Sequence, residues 1–225
     1  MAGLWVFGYG SLMWRPGFAY EEMRPATVTG YRRCFCIYSV HHRGSAERPG
    51  LVLGLDRGGV CHGLALRVCD RRAAETVAYL RAREQVNGVY REAAVPLRLD
   101  DGEVVDGLAY LAERAHPSYA GRLSIPAQAT LIRAARGLSG SNLDYLVNTL
   151  AHLSSLGIRE RELERVLVSA GAVFARGEGE RQRNGRAGGL AHELQRFPAG
   201  APRMPREKRK RFMYRLHRAA IRSGG

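Results

Sequence analysis

A chain of 225 residues with 45% hydrophobic side chains can bury a sizeable core, and its length suits one domain or one domain with an appendage. The apolar run at the start ends at Phe7 with no charged segment before it, and no uninterrupted apolar stretch reaches membrane-spanning length. A cytoplasmic protein without a membrane span is therefore expected. The formal charge of +14 raises nucleic acid as a partner, but residues 176–225 hold 14 of the 35 Lys/Arg and only 4 of the 21 Asp/Glu; the mildly basic remainder argues against a dedicated basic groove.

In chain order, Leu4–Phe7 reads as a strand that breaks at once into Gly8-Tyr9-Gly10-Ser11-Leu12-Met13. Gly8 and Gly10 lack side chains and are free to take positive φ, so the main chain there can turn sharply and aim successive N–H groups at a carboxylate or a developing oxyanion. A tight turn after an edge strand would use the same residues. Alternating or β-rich runs predict further strands at Ala26–Val40, Leu51–Leu55, Val60–Val68, Val89–Leu99 and Val104–Leu111, the last two joined by a hairpin turn at Asp100-Asp101-Gly102. Between Val68 and Val89, Asp70 is the expected N-cap of a helix running to about Arg83. Two or three helices follow from Pro126 to Ala175, with boundaries signalled by Ser124, Gly137, Ser141 and Gly157.

Strands first and helices after give an α+β class, a small and mostly antiparallel sheet or barrel of about six strands with flanking helices. Residues 1–175 are the expected domain. After Ala175 the run Arg176-Gly-Glu-Gly-Glu-Arg has no apolar periodicity and reads as a linker. Within the basic tail 176–225, Phe212, Leu216, Ala219 and Ala220 recur at helical spacing, so a short amphipathic helix over about 206–222 could form on an acidic surface; a solvated tail is the alternative. Cys34, Cys36, Cys61 and Cys69 show no CxxC spacing, so reduced structural thiols are expected and no zinc site is indicated.

Glu84 stands out on the first helix. At 100° per residue, Ala73, Val77 and Leu80 form an apolar stripe, and the next position on it is Glu84. An acid continuing a core-facing line is paired, turned outward by the end of the helix, or retained for chemistry. Arg81 and Arg83 are candidate partners, and Asn87-Gly88 could end the helix so that Glu84 faces a cleft. Structure and function both remain open on this reasoning.

Trp5-Val-Phe-Gly-Tyr-Gly-Ser-Leu-Met-Trp14, His42-Arg-Gly44 with Arg48-Pro-Gly50, Arg83-Glu-Gln-Val-Asn-Gly-Val-Tyr90, Asp100-Asp-Gly102, His116-Pro-Ser-Tyr119 and Gly140-Ser-Asn-Leu-Asp-Tyr-Leu146 follow one another over about residues 4–175. In this ordered set the chain resembles the ChaC-like, glutathione-specific branch of the gamma-glutamylcyclotransferases. The resemblance implies that Gly8, Tyr9, Gly10, Ser11, Leu12 and Met13 bind a gamma-glutamyl group and that Glu84 is the acid/base. It also implies that Tyr145 lies near the pocket, where a core aromatic is the competing role. Glutathione is the implied substrate, giving 5-oxoproline and Cys-Gly with no cofactor and no metal. His41, His42 and Arg43 match in part, and no direct role is expected of the histidines. Two alternatives stand beside this reading: cyclisation of another gamma-glutamyl amine, or a binding protein whose tail docks on RNA, an acidic protein or an anionic membrane. Cys34 and Cys36 compete weakly as nucleophiles, for want of a paired base.

Overall fold

A computed structural model describes residues 3–85 and 87–171. The predicted linker and the predicted helix at 206–222 lie outside the described residues. Five strands close into a barrel in the order β1-β3-β2-β4-β5: β1 (Leu4–Gly8), β2 (Glu22–Ser39), β3 (Gly50–Val68), β4 (Tyr90–Leu99) and β5 (Val104–Ala112). All neighbours are antiparallel except β1 and β5, which run parallel where Trp5 faces Gly107 and Val6 faces Leu108. Closure leaves no open edge.

The frame is the long hairpin β2–β3, paired from Glu22 and Arg67 down to Ser39 and Gly50. Here the expectation of separate strands at Leu51–Leu55 and Val60–Val68 gives way to one continuous strand. The intervening Gly58 and Gly59 take φ of 98° and 81°, Gly30 opposite takes 88°, and the register shifts between Thr29 and Tyr31. The glycines therefore bend a strand that the sequence pattern made look interrupted.

Alternation along β1 sorts two cores. Trp5, Phe7 and Tyr9 pack inside the barrel with Val28, Leu55, Leu97 and Leu111, whereas Val6 faces outward to Leu12, Val68 and Tyr110, and to Leu80 of helix α1 (Asp70–Glu84). Cys69 takes the N-cap position of α1, one residue before Asp70. Its buried line is Thr76 and Leu80, with Ala73 and Val77 half-buried beside it, so Glu84 does continue the covered face.

Helices α2 (Ile125–Ala134), α3 (Asn142–Ser155) and α4 (Arg161–Ser169) lay Ile132, Leu146, Leu150, Leu153, Val166 and Leu167 over Phe35, Leu51, Leu53 and Leu66 of the barrel wall. Their starts follow the sequence signals: Ser124 Oγ accepts from the Ala127 N–H, and Ser141 Oγ accepts from the Asp144 N–H. A two-residue ladder, β6 (Arg136–Gly137) with β7 (Gly140–Ser141), joins α2 to α3. Among the described residues, no helix is long and apolar enough to cross a membrane.

Candidate active site

The chain leaves β1 at Gly8 and passes through Tyr9 and Gly10 into a single 3₁₀ turn, Ser11–Met13. Neither glycine adopts the positive φ that the sequence suggested; Gly10 lies at φ −140°, ψ −133°. What Gly8 supplies is closeness. A Cβ there would sit 3.2 Å from the Met13 nitrogen and 3.3 Å from the Leu12 carbonyl carbon, because the turn folds back over it. Above Gly10 the space is open, the nearest atom to an added Cβ being Leu53 Cδ1 at 3.9 Å.

Leu12 and Met13 are buried, Leu12 against α1 and Met13 among the residues under α2–α4. Their side chains anchor the loop rather than line a pocket, so what the loop can offer a ligand is the Tyr9–Ser11 main chain and the exposed Ser11 hydroxyl. Met13 N–H to the Gly10 carbonyl, 2.9 Å, and Arg15 N–H to the Ser11 carbonyl, 2.8 Å, close the turn on itself. Tyr9 is buried and donates its hydroxyl to the Tyr110 carbonyl at 2.8 Å. Its own carbonyl accepts from Arg33 Nε, and the same buried guanidinium donates to the His62 carbonyl at 2.6 Å and pairs with Glu160.

Glu84 is the last residue of α1, and its side chain is 18% exposed. Its Oε1 lies 2.9 Å from Arg83 Nε. Arg83 then reaches the loop, donating to Ser11 Oγ at 2.8 Å and to the carbonyls of Arg15 and Pro16 at 2.7 and 3.1 Å. Arg81, the other candidate partner, instead makes two 2.7 Å bonds to Glu92. Burial holds the Glu84 carboxyl above its ordinary value, with the charge and hydrogen bond of Arg83 pulling the other way.

Tyrosines gather around this acid. The Glu84 charge acts on Tyr9, Tyr90, Tyr110 and Tyr145, adding to the burial that raises each of them, so all four hydroxyls stay protonated. Two of them converge on the main chain of one residue, Leu53. Tyr90, the first residue of β4, donates to the Leu53 carbonyl at 2.7 Å, and the Leu53 N–H donates to the Tyr145 oxygen at 3.5 Å. The Tyr145 ring meets Phe35 edge-on at 6.1 Å, and the Arg43 guanidinium lies over the ring, 5.1 Å from its centre. One residue into α3, Asn142 clamps Leu51 with both ends of its amide, accepting from its N–H at 2.6 Å and donating to its carbonyl at 2.7 Å. The first turn of α3 is thus fastened to β3 at residues 51 and 53.

Loop, Glu84 and Tyr145, far apart in sequence, therefore share one neighbourhood. The sequence does not single out Tyr90 or Asn142; it offers Arg43 only as a partial match beside the two histidines, and Arg83 only as a possible partner of Glu84. The available signals were slight: a tyrosine at the start of a strand, and an amide one residue behind a helix cap. His42 lies elsewhere, its Nδ1 3.1 Å from Ser139 Oγ. The neighbouring Cys34 and burial push the Cys36 thiol upward, away from the thiolate a nucleophile needs. Among the described residues, no group of three or more His, Cys, Asp or Glu could hold a metal ion.

Residues 4–171 match the family model for ChaC-like protein. The chain is 35% identical over 172 residues to the glutathione-specific gamma-glutamylcyclotransferase of Escherichia coli, covering 76% of this chain and 74% of that protein. It is 42% identical over 177 residues to human glutathione-specific gamma-glutamylcyclotransferase 1, covering 76% and 80%. The crystal structure of the yeast gamma-glutamyl cyclotransferase specific to glutathione superposes with a TM-score of 0.67 at 23% identity, over 76% of this chain and 98% of that one, so the two share a fold.

Proposed function

We infer the reaction from kinship and site together: this chain belongs to the ChaC-like family, and it is a gamma-glutamylcyclotransferase specific for glutathione. The observation that supports a place for the chemistry is Glu84, a half-buried acid at a helix end, tied by Arg83 to the loop after β1 and acting through its charge on four buried tyrosine hydroxyls.

The substrate carries both reacting groups. Its α-amine attacks its own γ-carbonyl, forming the C–N bond of a five-membered lactam and breaking the C–N bond to Cys-Gly, with no water consumed. Because nucleophile and electrophile sit in one molecule, the protein has only to fold the chain and move a proton. The α-ammonium must first be deprotonated, and Glu84 as carboxylate takes that proton and returns it to the departing nitrogen. A carboxyl with a raised pKa is better matched to this exchange than an ordinary exposed one. Main-chain N–H groups of Tyr9, Gly10 and Ser11 would receive the substrate carboxylate or the tetrahedral oxyanion. Tyr145 accepts from the Leu53 N–H and keeps its own proton to offer a substrate oxygen.

The deciding experiment is incubation of the purified protein with glutathione, followed by assay of the products. Stoichiometric 5-oxoproline and Cys-Gly are expected. Release of free glutamate would instead mean hydrolysis, and turnover confined to other gamma-glutamyl amines would remove the glutathione specificity.

A further inference from the structure

We propose that Arg83 is a positioning residue that makes the substrate loop and the acid/base one mechanical unit, holding Ser11, the Arg15 and Pro16 carbonyls and the Glu84 carboxylate on a single guanidinium. The proposal rests on Glu84 as the acid/base.

Three edges of the guanidinium carry three different tasks. Nε holds Glu84 Oε1 at 2.9 Å, Nη2 holds Ser11 Oγ at 2.8 Å, and Nη1 holds the Arg15 and Pro16 carbonyls at 2.7 and 3.1 Å with the Tyr79 hydroxyl at 3.4 Å. Only a planar fork with five donors can reach all of these; a lysine ammonium has the charge but not the span. Fixing Oε1 leaves the other carboxylate oxygen to meet the substrate amine. It also means that a shift of the loop moves the proton acceptor with it.

A simpler role would be favourable charge at the C-terminal end of α1. Arg81 provides the internal control, since it lies in the same last turn with the same charge but bonds Glu92 instead of Glu84. Helix-end electrostatics would make the two arginines equivalent, whereas positioning makes Arg83 alone matter for Glu84. Burial raises the Glu84 carboxyl and Arg83 opposes it, so loss of Arg83 moves the proton-accepting form to higher pH.

The test is kcat and KM for glutathione over about pH 5–9, by 5-oxoproline release, in the parent, Arg83→Met, Arg83→Lys, Arg81→Met and Glu84→Gln, with circular dichroism to verify folding. Arg83→Met is expected to move the acidic limb upward by about one unit or more, the size of effect a close opposite charge exerts. Arg83→Lys should restore the limb while keeping a severalfold higher KM, because the loop contacts stay lost; Arg81→Met should leave the limb in place. An unmoved limb in folded Arg83→Met, or an equal shift in Arg81→Met, overturns the proposal. If Arg83→Met does not fold, a parental KM in Arg83→Lys does so. Turnover persisting in Glu84→Gln would instead overturn the acid/base reading beneath it, which separates the two failures.

Discussion

Two arginine–glutamate pairs grip the loop after β1 from opposite sides. Arg33, buried in the barrel wall, holds the Tyr9 carbonyl and pairs with Glu160 at the start of α4; Arg83 holds Ser11 and pairs with Glu84 at the end of α1. The carboxyl side chains are equally covered, 19% and 18% exposed, and burial raises both pKa values against the pull of the arginine. Covering and pairing therefore do not single out the reactive acid. What differs is the company each keeps: Glu160 acts electrostatically with Arg33, His62 and Glu162, whereas Glu84 acts on four tyrosine hydroxyls. A perturbed acid marks a candidate, and only convergence of binding groups around it makes a site.

Paired substitutions separate the two. Glu84→Gln keeps the shape and removes the proposed proton acceptor, and kcat should fall by about 10²–10⁴-fold or more with the melting curve little changed. Glu160→Gln should act the other way, costing about 1–3 kcal/mol in denaturant unfolding because Arg33 is left buried with its charge uncompensated, while kcat stays within severalfold. Comparable loss of turnover in both would abolish the distinction. Next in size, Tyr145→Phe removes a hydroxyl from the Glu84 side alone and should lower kcat/KM by about 10- to 100-fold, the worth of one hydrogen bond to a charged or developing anion.

The smallest effect is on pH. A carboxyl raised by burial is lost as carboxylate at higher pH than an ordinary one, so the acidic limb of kcat/KM should lie above the usual glutamate range. In Glu160→Gln that limb should not move. A limb at the ordinary glutamate value would show that burial does not govern Glu84 in the working enzyme.

Much of this was legible in the chain. Strand alternation, the serine caps at Ser124 and Ser141, and the stripe Ala73–Val77–Leu80 are local signals, and each depends on contacts within a turn or two of helix or on one face of a strand. The glycine pair at 58–59 misled the count of strands, because a glycine bend inside a ladder and a glycine turn between strands have the same composition. Of the two properties Gly8 offers in the sequence, the fold uses the missing side chain and not a left-handed backbone. Asn142 escaped notice because its partner, Leu51, is 91 residues away.

Periodicity and capping, both short-range, determined from the sequence that there would be a small barrel with helices on it and an acid at the end of the first helix's covered face. Motif order added the family. Which loop the acid is tied to, and which tyrosines come within reach of its charge, were decided by barrel closure, which brings the ends of β1 and α1 and the starts of β4 and α3 to one place. No local pattern encodes the meeting of the loop, Glu84 and Tyr145, because these groups have no shared neighbours along the chain.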